Sequence, residues 1–148
     1  MTKKQVINIC QKHLAEKMAI INNALKQTQA SSNDDTKSSA GDKHETSRAM
    51  AHIENERLAK QLSLLIQQNE SLNKINPEIK NTKIALGSFI KTKNINLFIS
   101  TGLGKISTKE IEFYAISSNS PVATNLLGKT IGEEFKMGSN TLVVTEII

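Results

Sequence analysis

The sequence predicts an α+β protein: an N-terminal antiparallel α-helical coiled-coil hairpin, then a small antiparallel β-sheet domain with one short helix. Three observations predict it. Apolar residues in the first half recur at alternating spacings of three and four. After Pro77 the period changes to the alternation of strands. With 38% hydrophobic and 3% aromatic residues in a chain of 148, one large core is not expected.

The first helix is predicted from residue 3 to about residue 30, a stretch without Gly or Pro. Thr2 and Gln5 fit a capping box at its start. Leu14, Met18, Ile21, Leu25 and Thr28 form a coiled-coil seam, which Ile7 extends backward through Gln11. SSNDDTKSSAGDKH, residues 31–44, reads as a turn region. A second helix is predicted over about 45–75, with Leu58, Leu62, Leu65, Asn69 and Leu72 on its seam. Asn69 places a polar group where it fixes register at some loss of stability. A short connection makes the two helices antiparallel. About thirty residues at ~1.5 Å each give an arm on the order of 45 Å long. The hairpin occupies 1–76, and its tip, about 31–46, carries Asp34, Asp35, Asp42 and Glu45.

Pro77 ends the second helix, and 77–84 reads as a linker. In the β-rich domain, 85–148, the segments IALGSFIKT, NLFIST, EIEFYAIS and TLVVTEII are strand candidates. In SPVATNLLGK, Ser120 suits an N-cap, Pro121 the first helical position and Gly128 the stop. That gives a short helix over 121–127. TGLGK, residues 101–105, reads as a hairpin turn between strands rather than a phosphate loop.

A net charge of +5 is compatible with an anionic partner, but from charge alone a solvated basic surface is the preferred reading. A single cysteine, Cys10, excludes an internal disulfide. It falls on a helical stretch beside Ile7 and Leu14, as a small apolar residue would. His13, His44 and His52 have no spacing that suggests a zinc site or a catalytic pair, so a thiol enzyme is not expected. No segment reads as a signal peptide or approaches the ~20 apolar residues of a membrane span. A soluble, cytoplasmic, monomeric chain with no membrane partner is expected.

Asp42 and Glu45 carry two compatible readings. As N-cap and N3 residue they start a helix and favour the positive end of its dipole. Two exposed carboxylates also bind magnesium weakly, and magnesium sites combine one or two carboxylates with waters and phosphates. An arm could therefore deliver these acids to a metal site that another macromolecule completes.

Three segments resemble the Gre family of bacterial transcript cleavage and elongation factors. GDKHET, residues 41–46, resembles the family's tip motif. GSFIKT, residues 87–92, is similar to the first strand of its C-terminal domain. SPVATNLLGKTIGEEF, residues 120–135, with TLVVTEII after it, resembles that domain's Ser-Pro, Leu-Leu-Gly-Lys, Gly-acid signature. The resemblance implies an FK506-binding-protein-like (FKBP-like) C-terminal domain that docks on bacterial RNA polymerase, with the arm in the secondary channel. It implies a protein that is not itself an enzyme but stimulates cleavage of backtracked RNA by the polymerase, beside the nascent RNA and DNA of the elongation complex. Asp42 and Glu45 would be its catalytic acids, holding Mg2+ shared with the polymerase and none stably alone. Ser120 and Pro121 would be docking residues, while Asp34 and Asp35 have no secure counterpart.

The tip departs from the family pattern after Glu45, where Thr46, Ser47, Arg48, Ala49 and Met50 follow, and the loop carries the extra run DDTKSS. Arg48, three residues on, is spaced to pair with Glu45. Two alternatives follow: a channel-binding regulator or inhibitor that does not stimulate cleavage, and a prolyl isomerase or chaperone-like module. The second has only Phe89, Phe98, Phe113, Tyr114 and Phe135 to line a pocket.

Overall fold

The computed structural model describes the backbone of residues 1–35 and 41–148 and the side chains of 1–30 and 45–148. The chain divides into two compact units, Leu14–Gln67 and the combination of Met1–His13 with Gln68–Ile148.

Two long helices open the chain, α1 (Lys3–Asp35) and α2 (Gly41–Asn73). Thr2 and Gln5 form the predicted capping box. Thr2 N–H donates to Gln5 Oε1 at 2.7 Å, and Gln5 N–H donates to Thr2 Oγ1 at 3.2 Å. Within Leu14–Gln67 the helices lie side by side, with Lys17, Ile20 and Ile21 of α1 and Gln61, Leu64 and Leu65 of α2 lining one apolar depression. Helices that lie side by side and are joined by only 36–40 run antiparallel. Leu14, Leu58 and Leu65 are buried. Met18, Ile21, Leu25, Thr28 and Leu62 are half-buried, as the seam requires. The seam continues through the half-buried Asn55, Ala51 and Ser47, so its large apolar residues give way to small and polar ones beyond Leu25 and Leu58.

The helices are longer than their sequence suggests. α1 continues to Asp35 and α2 begins at Gly41, so much of the expected turn region 31–44 is helical. Helix propagation adds one hydrogen bond per residue fixed, and Ser, Asn or Asp lowers its stability by only a few tenths of a kcal/mol each. The run at 36–40 lies outside the described residues.

The second unit holds a five-stranded sheet built from β1 (Phe89–Lys91), β2 (Asn96–Ser100), β3 (Gly104–Ser107), β4 (Glu112–Ser117) and β7 (Glu146–Ile147). Their order is β3-β4-β2-β1-β7. A separate hairpin pairs β5 (Glu134–Met137) with β6 (Asn140–Val143). The short helix α3 is Pro121–Leu126.

Three features differ from the sequence-based expectation. The sheet is mostly antiparallel, but β2 and β4 pair in parallel, from Leu97↔Tyr114 to Ser100↔Ser117. TGLGK therefore does not close a hairpin. It carries the chain from β2 past β4 to β3, with Leu103 N–H bonded to Ala115 O at 3.1 Å. β2 is almost wholly buried, and such a continuously apolar strand suits the middle of the sheet, where β4 comes to lie beside it. TLVVTEII also breaks in two. Val144 buries its side chain and bonds the 132–133 loop, and Thr145 N–H then reaches Lys91 O at 2.9 Å to join β1. β3 and β5 lie outside the expected strand segments: β3 carries Gly104 and Lys105 in place of an apolar alternation, and β5 alternates over only four residues, Glu134 to Met137.

Both faces of the sheet are covered. The register sets Phe89 opposite Phe98 and Ile90 opposite Leu97. Phe89, Phe98 and Phe113 are fully buried, with ring centroids 5.7 to 6.5 Å apart. On the other face Ile90, Leu97 and Ile99 pack with Ala123 and Leu126 of α3, Phe135, Ile84 and Val144.

Gly87 leads into β1 with φ +87°, and a Cβ there would stand 2.7 Å from Ile75 Cγ2. Gly128 has φ +84° with nothing within 4 Å of such an atom. Gly128→Ala should therefore show the left-handed penalty alone, about 1–2 kcal/mol. Gly87→Ala should exceed it by at least ~1 kcal/mol through overpacking. Urea unfolding of the two variants measures the difference.

Candidate functional site

The acidic end of the hairpin is set by where α2 starts. Gly41 is already helical, so Asp42 lies in the first turn and is not an N-cap, and Glu45 follows three residues on. Residues three apart are neighbours on a helix surface, and the positive end of the helix favours carboxylates. Glu45 is exposed. The side chain of Asp42 lies outside the described residues, as do those of Asp34 and Asp35, whose backbone ends α1. Arg48 is exposed and forms no ion pair with Glu45. Among the described residues of this helix, Arg57 pairs with Glu54, and His52 Nε2 stands 3.5 Å from Glu56.

Two carboxylates on one helical turn fit a magnesium ion only if other ligands complete it. Among the described residues no group of three or more His, Cys, Asp or Glu side chains could hold a metal ion. Cys10 is buried, and burial pushes its thiol pKa up to about 12, which leaves it inert as a nucleophile.

The segment 120–135 is shaped by local physical demands. Ser120 is the N-cap of α3, its Oγ accepting the Ala123 N–H at 3.2 Å, and Pro121 is the first helical residue. Gly128, after the helix, takes the positive φ of a stop, and its N–H bonds Ile84 O at 2.8 Å. Gly132 takes φ +91° in the following turn. Glu133 closes that turn, accepting the Thr130 N–H at 2.6 Å and the Thr130 hydroxyl at 3.2 Å. The Thr130 amide bond holds the Glu133 carboxyl below its usual range, aided by the Thr130 hydroxyl, Lys129 and Lys83. Sequence reading missed this role, although Thr-x-x-Glu is the spacing of a reciprocal cap. Ser120→Ala should lower stability by about 1 kcal/mol through the lost cap, measured by thermal unfolding.

The clefts of the β-rich part are small and poor in aromatic rings. One of about 380 Å3 is lined by Phe135 with Asn125, Lys129 and Lys136. Another of about 320 Å3 is lined by Tyr114 with Ile95, Met137 and Leu142. No described helix is long and apolar enough to cross a membrane.

The chain matches no known protein-family description, and no curated protein matches it. Among solved structures, one described as that of the transcription factor Gfh1 is similar to it. That match has 17% identity and a TM-score of 0.36, over 93% of this chain and 92% of the other.

Proposed function

We propose that this protein is a transcription elongation factor that binds RNA polymerase through the secondary channel and supplies Asp42 and Glu45 to the polymerase's magnesium site. The observation that carries the reading is the position of these acids. They lie within the first five residues of α2, directly after the connection of the hairpin. The likeness of 41–46, 87–92 and 120–135 to Gre-type segments supports it. In two-metal phosphodiester hydrolysis one metal activates water and both offset the charge that develops. On this reading Asp42 ligates the second magnesium ion, and Glu45 ligates it or orients the water. The protein is then a cofactor of the polymerase and not an enzyme alone, and its β-rich domain docks through the α3 region around Ser120 and Pro121. The test adds the purified protein to a backtracked polymerase complex and follows the RNA 3′ end. Release of a 3′ fragment supports the reading. An unchanged transcript, with binding demonstrated, overturns the cleavage role.

Arg48 favours a second reading. It stands one turn from Glu45 and has no ion pair with it among the described residues, and a cation there weakens the hold of the acids on a metal. The protein would then occupy the channel and modulate synthesis without cleavage. Inhibition of nucleotide addition with no 3′ fragment distinguishes this outcome. A prolyl isomerase has less support: Phe89, Phe98 and Phe113 are sealed against one another, and Tyr114 and Phe135 line separate clefts. A proline-peptide isomerisation assay should give no turnover.

A further inference from the structure

We propose that the cleft between the first turn of α1, residues 77–81 and strand β7 binds a phosphate oxyanion through Lys3, Lys4 and Lys80. The cleft has a volume of about 540 Å3, and its apolar lining includes Pro77, Ile79 and Ile147. Lys3 is the decisive residue. It is 4% exposed, and its Nζ donates to Ile79 O at 2.5 Å. An ammonium has three donors, and this carbonyl is the one partner of Lys3 Nζ among the described residues. No carboxylate is ion-paired with it there. A buried cation without a counter-charge is unfavourable, and burial accordingly lowers the pKa of Lys3.

The surrounding charges point the same way. Lys4 and Lys80 are exposed on the cleft wall. Of the lining glutamates, Glu146 is held by Lys91 at 2.7 Å, which leaves Glu78 against three lysines. The cleft also adjoins the positive end of α1. An anion entering it meets the ammonium of Lys3, which has donors beyond the one given to Ile79 O.

The lining holds lysines and no arginine, and lysine binds a phosphate oxyanion as a compact point charge. The volume exceeds one phosphate group, so a phosphodiester backbone and a free phosphate compound both fit the chemistry. The inference does not depend on binding to RNA polymerase and is tested without it.

The full chain would be titrated with inorganic phosphate, a short oligoribonucleotide and an oligoglutamate peptide while backbone amide resonances are followed. Phosphate should shift the amides of Lys3, Lys4, Lys80 and Asn81 selectively. If the natural ligand is a nucleic-acid backbone, the oligoribonucleotide binds more tightly and weakens as salt rises. If it gains nothing over phosphate, the site serves a free phosphate compound. Lys4→Gln with Lys80→Gln should weaken binding at least about tenfold with circular dichroism unchanged. Lys3→Met, which keeps the apolar stem, should do the same. Equal or tighter binding of oligoglutamate overturns the proposal in favour of an acidic protein segment. Shifts spread equally over remote lysines such as Lys93 and Lys109, or binding unchanged in the variants, overturn it outright.

Discussion

Asp42→Asn is expected to lower stimulated cleavage of a backtracked transcript at least about hundredfold, the scale on which one electrostatic contributor to a reacting centre is lost. Affinity for the polymerase should stay nearly unchanged. The substitution keeps size and hydrogen-bonding capacity but removes the charge that a magnesium ion requires. On α2 itself it removes only a favourable dipole interaction of about 0.3–1 kcal/mol, so helix content should hold. Glu45→Gln should lower cleavage less, because a neutral side chain can still orient water. Fragment yield on a gel, alongside polymerase binding measured separately, checks both. Cleavage by Asp42→Asn at the level of the parent protein would remove the acid from the mechanism.

Phe113→Ala should have the largest effect on stability, about 4 kcal/mol. Phe113 is fully buried on β4, and its ring stands 5.7 Å from that of Phe89 and 6.4 Å from that of Phe98, near edge-on to both. Truncation removes buried apolar surface, two aromatic contacts and the support for a strand that bridges β3 and β2. β2 and β4 are joined through the intervening β3 and carry the sheet's parallel pairing, so little local structure can compensate. The urea midpoint of the β-rich part should fall accordingly. A loss below ~1 kcal/mol would mean that the ring cluster does not hold this sheet together.

The helical half was legible because its signals are local and repeated. Alternating spacings named Leu14, Leu58 and Leu65, all buried, and Thr2 with Gln5 named the N-terminal cap. Ser120, Pro121 and Gly128 were legible for the same reason, since each meets a demand set within a few residues. The sheet topology was not legible. Nothing local in TGLGK distinguishes a turn between paired strands from a crossing over β4, because the outcome depends on which strand takes the centre. Helix ends were misplaced where weak helix formers continue an established helix. For the acids, the backbone of α2 sets Asp42 and Glu45 three residues apart near its start. The metal role proposed for them rests on ligands from another molecule, which no pattern in this chain encodes.

The seam of the hairpin changes character along its length. Leu14, Leu58 and Leu65 give the packing that resists opening, whereas Thr28, Asn55, Ala51 and Ser47 bury little apolar surface. Local opening free energy follows buried apolar contact. Amide hydrogen exchange should therefore be slow around Leu58 and Leu65 and progressively faster from Asn55 toward Ser47. On the proposed reading, a stem that yields between Asn55 and Ser47 would let the acids beyond it follow a metal site without unfolding the helix around Leu58 and Leu65.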